Sequence, residues 1–219
     1  MDLDDPANRA AVTDLLGVLA YGELTASLQM GADGVHAPSL TAQAGMARLA
    51  AADYRHYELL ADRMGELGID PPSAMEPFVI PFAGYHERTR PRNWLEGLVK
   101  AYVGDGIARD FYKEMAVLVD GRTRDVMAVV LDDRNAAAFV VDVVTRAIEA
   151  DRTLAGPLAL WGRRLLGEAL SQGQAVAAER DALTALLVRA GTDVAELSRM
   201  FTRLQHHHQV RMASLGLQA

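Results

Sequence analysis

Apolar residues recur at steps of three and four along most of this 219-residue chain, the spacing of helices that bury one face. Six helices are predicted. The first covers residues 8 to 30 and is broken by "GADGVHAPS"; the second runs from 39–41 to 67, stopped by Gly68 and the pair Pro71-Pro72. Asn93 and Glu96 have capping-box spacing and open a third helix that ends near Val119, before Gly121. A fourth covers residues 123 to 150. Pro157 suits the first turn of a fifth, which reaches Ala190, and "AGTD" separates it from a sixth over residues 194 to 215. The segment 70–93 holds five of the eight prolines and is predicted to contain no helix. Strand-like alternation is scarce, so the fold class is all-α.

That proline-rich segment is too long to be a tight hairpin. Short loops join antiparallel neighbours, whereas a connection of this length can return along a bundle, which would make the second and third helices parallel. The expectation is a four-helix bundle of two hairpins joined by one long crossover, with two additional C-terminal helices packed outside. A single domain over 1–219 follows, with the core bundle at about 8–150 and a C-terminal helical hairpin at about 157–215. The chain shows neither an internal repeat nor a low-complexity tail.

Charges interrupt the apolar stripes at particular places. In the second helix Met46, Leu49, Asp53, His56, Leu60 and Met64 share a face, so an acid and an imidazole point inward three residues apart and can converge on one ion. In the first, Val12, Leu16, Leu19, Glu23, Ala26 and Met30 form the stripe, with Glu23 its only charge. The third helix carries Asp105 among Leu98, Ala101, Tyr102, Ala108 and Tyr112, while Asp110 falls on the other side. In the fourth, Asp125, Ala128, Val129, Asp132, Ala136, Phe139 and Val143 line up, and Asn135 follows Asp132 as His56 follows Asp53. A buried carboxylate without a partner costs several kcal/mol or takes up a proton. Divalent cations would remove the conflict, and this donor set suits iron, manganese or zinc. Another explanation stays open: Arg109 is close in angle to Asp105, and Tyr21, Tyr57, Tyr102 and Tyr112 can donate hydrogen bonds. Glu168, near Trp161 and Leu165 in the fifth helix, and His208, on the sixth-helix stripe of Leu197, Phe201, Leu204 and Met212, are second-choice ligands.

Composition narrows the function classes. Half the residues are hydrophobic, enough for one sizeable core. There is no cysteine, which excludes disulfides and thiolate metal sites and leaves carboxylates and His as the strong ligands. The N-terminus "MDLDDPANRA" is acidic where a leader would be basic, and no uncharged run approaches the ~20 residues that cross a bilayer, so a soluble, cytoplasmic protein with no membrane partner is expected. The net charge of −7 disfavours indiscriminate nucleic-acid binding. One local basic patch exists, "RTRPR", with Arg88, Arg90 and Arg92.

The order Glu, acid-x-x-His, crossover, acid, acid-x-x-polar resembles the ferritin-like di-iron carboxylate proteins, whose pattern is Glu, Glu-x-x-His, Glu, Glu-x-x-His. More narrowly, "AYGELTA", "HYELLADRMGELG", "WLEGLVKAYVGDGIARDFY" and "LALWGRRLLGEALSQGQ" resemble an actinobacterial branch similar to the bacterial tRNA hydroxylase that acts on 2-methylthio-N6-isopentenyl-adenosine. The resemblance implies metal ligands at Glu23, Asp53, His56, Asp105, Asp132 and Asn135. It implies one or two iron ions, oxygen-dependent hydroxylation, and a reductase as electron donor. The substrate would be tRNA, with Arg88, Arg90 and Arg92 on a basic rim, or a small molecule. A homodimer is compatible with the pattern. Asp replaces Glu at 53, 105 and 132, and Asn135 stands where the family has His, which weakens the second metal position. The alternatives are a helical scaffold that has lost its cofactor and its catalysis, and a protein of iron oxidation or storage.

Overall fold

Asp5 and Pro6 set the start of the first helix. The Asp5 carboxylate accepts from the Ala7 N–H at 2.8 Å, and Pro6 occupies the first turn, where its missing N–H costs nothing. The computed structural model describes residues 2–131, 135–189 and 194–219. In it α1 spans Pro6–Gly34, running through Gly31 beyond the predicted stop at Met30. α2 (Leu40–Glu66) is capped by the Ser39 hydroxyl, 3.2 Å from the Ala42 nitrogen. It ends where Gly68 takes a φ of +65°, a left-handed turn that lets the Ile69 N–H reach the Met64 carbonyl at 2.9 Å.

The segment expected to lack helix contains two. α3 spans Pro71–Met75, a 3-10 turn covers Glu76–Phe78, and α4 spans Val79–Arg88. The reason is positional. Pro71 and Pro72 open α3, Pro77 opens the 3-10 turn and Pro81 lies in the first turn of α4, places where a proline removes no intrahelical hydrogen bond. The Asp70 carboxylate caps α3 by accepting from the Ser73 N–H at 3.0 Å. The crossover is thus an ordered strap, and Ala74, Met75 and Phe78 are buried against α1.

α5 (Trp94–Ala116) begins at the predicted cap: the Asn93 side chain accepts from the Glu96 N–H at 3.0 Å, and the Glu96 carboxylate accepts from the Arg92 N–H at 2.7 Å. α6 (Gly121–Leu131) and α7 (Asn135–Ala150) occupy the predicted fourth helix. The fifth divides into α8 (Ala155–Glu179) and α9 (Asp181–Arg189), because Arg180 leaves the helical region and turns its guanidinium to Asp14 of α1. α10 spans Val194–Ser214. Among the described residues there are no strands.

Contacts fix the directions of the helices. Along α1 and α2, Gly34 faces Met46, the Ser27 hydroxyl donates to the Ala50 carbonyl at 2.7 Å, and Glu23 meets His56, so the pair is antiparallel. Gly97 of α5 faces Asp33, and the Tyr112 hydroxyl lies against Gly22, so α5 is antiparallel to α1 as well. α2 and α5 are therefore parallel, the relation a crossover creates. Arg63 of α2 reaches Asp120 and Thr123 at the start of α6, and Gly45 receives Phe139 of α7, which closes the bundle. α8 and α10 lie outside on α5: the Trp161 indole donates to the Glu96 carbonyl at 3.0 Å, and Arg203 and Arg211 reach back to Glu114 and Asp110.

Two apolar clusters fill the interior. One contains Leu15, Leu16, Leu60, Met64, Phe78 and Met115; the other contains Met46, Leu98, Val103, Leu165 and Met212. They meet at the level of Glu23 and Asp53. The face of the predicted fourth helix is corrected: α6 buries Thr123, Met127 and Val130, while Asp125 and Ala128 face solvent and Val129 is 60 % exposed. Thr123 sets this phase by accepting from the buried Arg63 at 3.0 Å.

Two glycines of α1 give opposite expectations. A Cβ at Gly17 would overlap the Ala74 backbone carbonyl, which cannot give way without moving the crossover, whereas one at Gly31 would meet nothing within 4 Å. Gly31→Ala is expected to stabilise the protein by about 1 kcal/mol through helix propensity. Gly17→Ala is expected to lose about 2 kcal/mol net, because the backbone clash outweighs that gain. Urea denaturation of both variants checks the opposite signs.

Candidate metal centre

The α1–α2 hairpin builds the centre. Glu23 comes from α1, and Asp53 and His56 lie one turn apart on α2; all three are buried. Each offers one ligand atom, and these atoms lie within 4.8 Å of one another. His56 Nδ1 is 3.2 Å from Glu23 Oε2. The nearby Ser27–Ala50 bond holds the two helices close at this level.

Burial and neighbouring charges set the electrostatics of the cluster. Burial pushes the Glu23 carboxyl above its ordinary value, and the Asp105 charge adds to the rise; the hydrogen bond and charge of His56, with the charge of Arg109, pull the other way. Burial also raises the Tyr112 phenol, as do the charges of Glu23 and Asp105, so it stays a neutral donor or acceptor at this edge of the cluster. The donors fit a divalent metal. Two carboxylates and an imidazole suit iron, manganese or zinc, and an ion would compensate the carboxylates at the depth where burial disfavours their charge.

The other predicted positions are distributed differently. Asp105 is close enough to act on Glu23, yet it pairs with Arg109, whose Nε lies 2.9 Å from its Oδ2. Asp132 lies outside the described residues; Asn135 opens α7, and its side chain lies outside them too. Glu168 faces α4 rather than the bundle interior, accepting from Arg88 Nε at 2.6 Å with Arg164 at 3.9 Å. His208 is buried on α10, and burial followed by the Arg211 charge lowers it to about 4, which keeps it neutral. Neither joins the three-residue cluster. The arginines of the expected rim each meet a carboxylate: Arg88 with Glu168, Arg90 with Glu87 at 2.8 Å, and Arg92 with Glu96 at 3.3 Å. An unopposed basic patch does not form among them.

A cavity of about 180 Å³ adjoins the cluster at Asp53 and extends along α5 past Asp105 to Lys113, with Arg211 of α10 in its wall. Sequence reasoning missed this cavity because two of its walls belong to helices remote in the chain. A signal was present in "VGDGI": two glycines flank Asp105 in mid-helix, where each costs about 1 kcal/mol relative to alanine. A side chain at Gly106 would overlap the Arg211 guanidinium.

Two antiparallel hairpins joined by a crossover, with a Glu and an Asp-x-x-His buried between their apolar layers, define a ferritin-like protein. The chain belongs to the ferritin-like domain family of actinomycetes, whose profile matches residues 6–190. Its fold is similar to that of a Synechococcus protein with aldehyde deformylating oxidase activity: TM-score 0.76, 19 % identity, covering 100 % of this chain and 95 % of that one. A comparison with curated protein sequences found no match. No helix among the described residues is long and apolar enough to cross a membrane.

Proposed function

We propose that the protein is an iron-dependent oxidoreductase that uses dioxygen to oxidise a small organic molecule, with one ion held by Glu23, Asp53 and His56. The convergence of three buried ligand atoms within 4.8 Å carries this reading. Iron, when bound, supplies the redox chemistry of dioxygen reduction. The net reaction takes one dioxygen, two electrons and two protons; one oxygen atom enters the substrate and the other leaves as water. A separate reductase is the source of the electrons. The chain holds the ion, orients the substrate through the cavity beside Asp53, and keeps bulk water away by burying the ligands. The pairing of Asp105 with Arg109 favours one ion over two, since a guanidinium already balances that carboxylate. The fold's likeness to an aldehyde deformylating oxidase supports the oxidative class.

Hydroxylation of a tRNA base is the narrower reading implied by the resemblance. It needs a basic rim, and the arginines available for it are engaged by acids or carbonyls: Arg88 by Glu168, Arg164 by the Arg88 carbonyl, and Arg203 by Glu114. A small substrate is the better match. Metal analysis after growth in added iron tests the proposal. Wild-type protein is expected to hold about one equivalent, and His56→Ala less than roughly a tenth of that, with unchanged far-UV circular dichroism. A wild-type protein without metal would leave a scaffold, and a variant that keeps its metal would put the site elsewhere.

A further inference from the structure

We infer that the cavity beside the cluster binds a small amphipathic organic anion, an apolar body of about six to eight carbons bearing one carboxylate. The inference rests on the metal site proposed above. The cavity, about 180 Å³, is slightly larger than the ~150 Å³ apolar cavity that accepts benzene. Its inner part is apolar, lined by Met30 of α1, Leu49 of α2, Ala101 of α5 and Val140 of α7, and it touches the cluster at Asp53. A hydrocarbon end would be desolvated there, next to the ion.

The outer end is charged, and its charges do not cancel. Arg109 balances Asp105. Asp110 faces two permanent cations, a close pair with Arg211 and the Lys113 ammonium at 3.9 Å, with His207 Nδ1 at 3.4 Å. Around Asp110 two permanent cations thus face one carboxylate, a local surplus of one positive charge at the outer end, although the whole lining, Asp53 included, holds three acids and three cations. Lys113 is the most loosely held of these cations. Its separation from Asp110 exceeds hydrogen-bond length, and its side chain is 57 % exposed, which places it at the mouth. Asp105 and Lys113 are eight positions apart on α5, or about 12 Å along the helix axis. An extended eight-carbon chain is about 10 Å long, so with its carboxylate on the Lys113 ammonium its tail runs along α5 toward the level of Asp105. A sixteen-carbon chain or a modified nucleoside exceeds the space.

Calorimetric titration of the full iron-loaded chain with octanoate, octanol, octylamine and hexadecanoate tests the assignment. Octanoate is expected to bind at least roughly tenfold more tightly than each of the others. Ala101→Trp, which fills the inner part and replaces none of the three ligand residues, is expected to weaken octanoate at least roughly tenfold, with metal content unchanged. Lys113→Glu, a change at an exposed position, is expected to erase the preference for octanoate over octylamine. Equal binding of octylamine or octanol, or octanoate binding indifferent to both variants, would overturn the assignment. If Ala101→Trp does not fold, the Lys113→Glu preference decides. The metal reading is separable: octanoate bound by protein that takes up no iron overturns only the iron, and iron uptake without octanoate binding overturns only the cavity.

Discussion

Glu23→Gln is expected to raise the melting temperature of the metal-free protein and to abolish tight metal binding, two effects of opposite sign from one atom exchanged. Glu23 is buried, and its carboxyl titrates above the ordinary value of 4.5 chiefly because of that burial. An acid whose folded pKa is raised favours the folded state fully below its unfolded pKa, and that contribution is lost as pH rises through the folded value. As the pH rises, the metal-free protein is therefore increasingly penalised for holding this acid where its charge is disfavoured. Gln keeps the shape and can still accept from His56 Nδ1, while the charge disappears. A gain of about 1 to 2 kcal/mol, or about 3 to 6 °C in melting temperature, is expected, and it should shrink as the pH is lowered toward 4.5. Metal affinity should fall by at least roughly 100-fold, since a ligand matters no less than the outer groups that support one. Calorimetry with and without iron reads both effects. A variant that keeps its iron, or melts lower without it, would remove Glu23 from the centre.

Legibility in the sequence depended on how locally each feature is determined. The α1 and α2 stripes could be read because the hairpin packs face to face, and every residue of the α2 stripe, Met46 to Met64, is buried. The cap at Asn93 and the stop at Gly68 are local too, and both were readable. The crossover helices were hidden because the prolines look like breakers until it is known that four of the five, Pro71, Pro72, Pro77 and Pro81, sit in helix-opening turns. The α6 stripe was misphased for a different reason. Asp125, Ala128 and Val129 also have helical spacing, and the choice between the two faces is made by Arg63, an α2 residue far away in sequence.

The candidate site divides along the same line. Glu23, Asp53 and His56 lie on one hairpin, and helical periodicity alone placed them together. Asp105 faces the same region, but its neighbour one turn later, Arg109, claims it, an outcome that angular position left open. The outer cations depend on α10 docking on α5, which brings Arg211 to Gly106 and Asp110. A stripe drawn on one helix cannot show which distant helix covers its other face. α5 is covered on both, with Leu98 and Tyr112 buried on one side and Val99 and Asp110 on the other.

Arg63→Ala is expected to cost about 3 kcal/mol and about 8 °C in melting temperature, among the larger losses available to a residue outside the metal cluster. Its guanidinium is buried at the end of α2 and donates to the Thr123 hydroxyl at 3.0 Å, to Asp120 at 3.0 Å and to Glu66 at 2.9 Å. Removing it leaves Thr123 fully buried without its donor and Asp120 mostly buried without its cation. Burial pushes the Asp120 carboxyl up, but the Thr123 hydroxyl and N–H and the Arg63 charge more than offset it, so it titrates below its ordinary value. Glu66, on the exposed side, is held down to about 2 by hydrogen bonds from Arg122 and Arg63. Both are acids with depressed folded pKa values. Their contribution is present above the unfolded carboxylate value and is lost as pH falls through the folded one, so wild-type stability should drop between about pH 4.5 and 2. In Arg63→Ala that drop should be smaller, with Arg122 alone left to hold Glu66. Denaturant midpoints at pH 7, 4 and 3 measure it. A variant that loses stability equally at all three would show that Arg63 acts by filling space alone, and that the joint between α2 and α6 is not electrostatic.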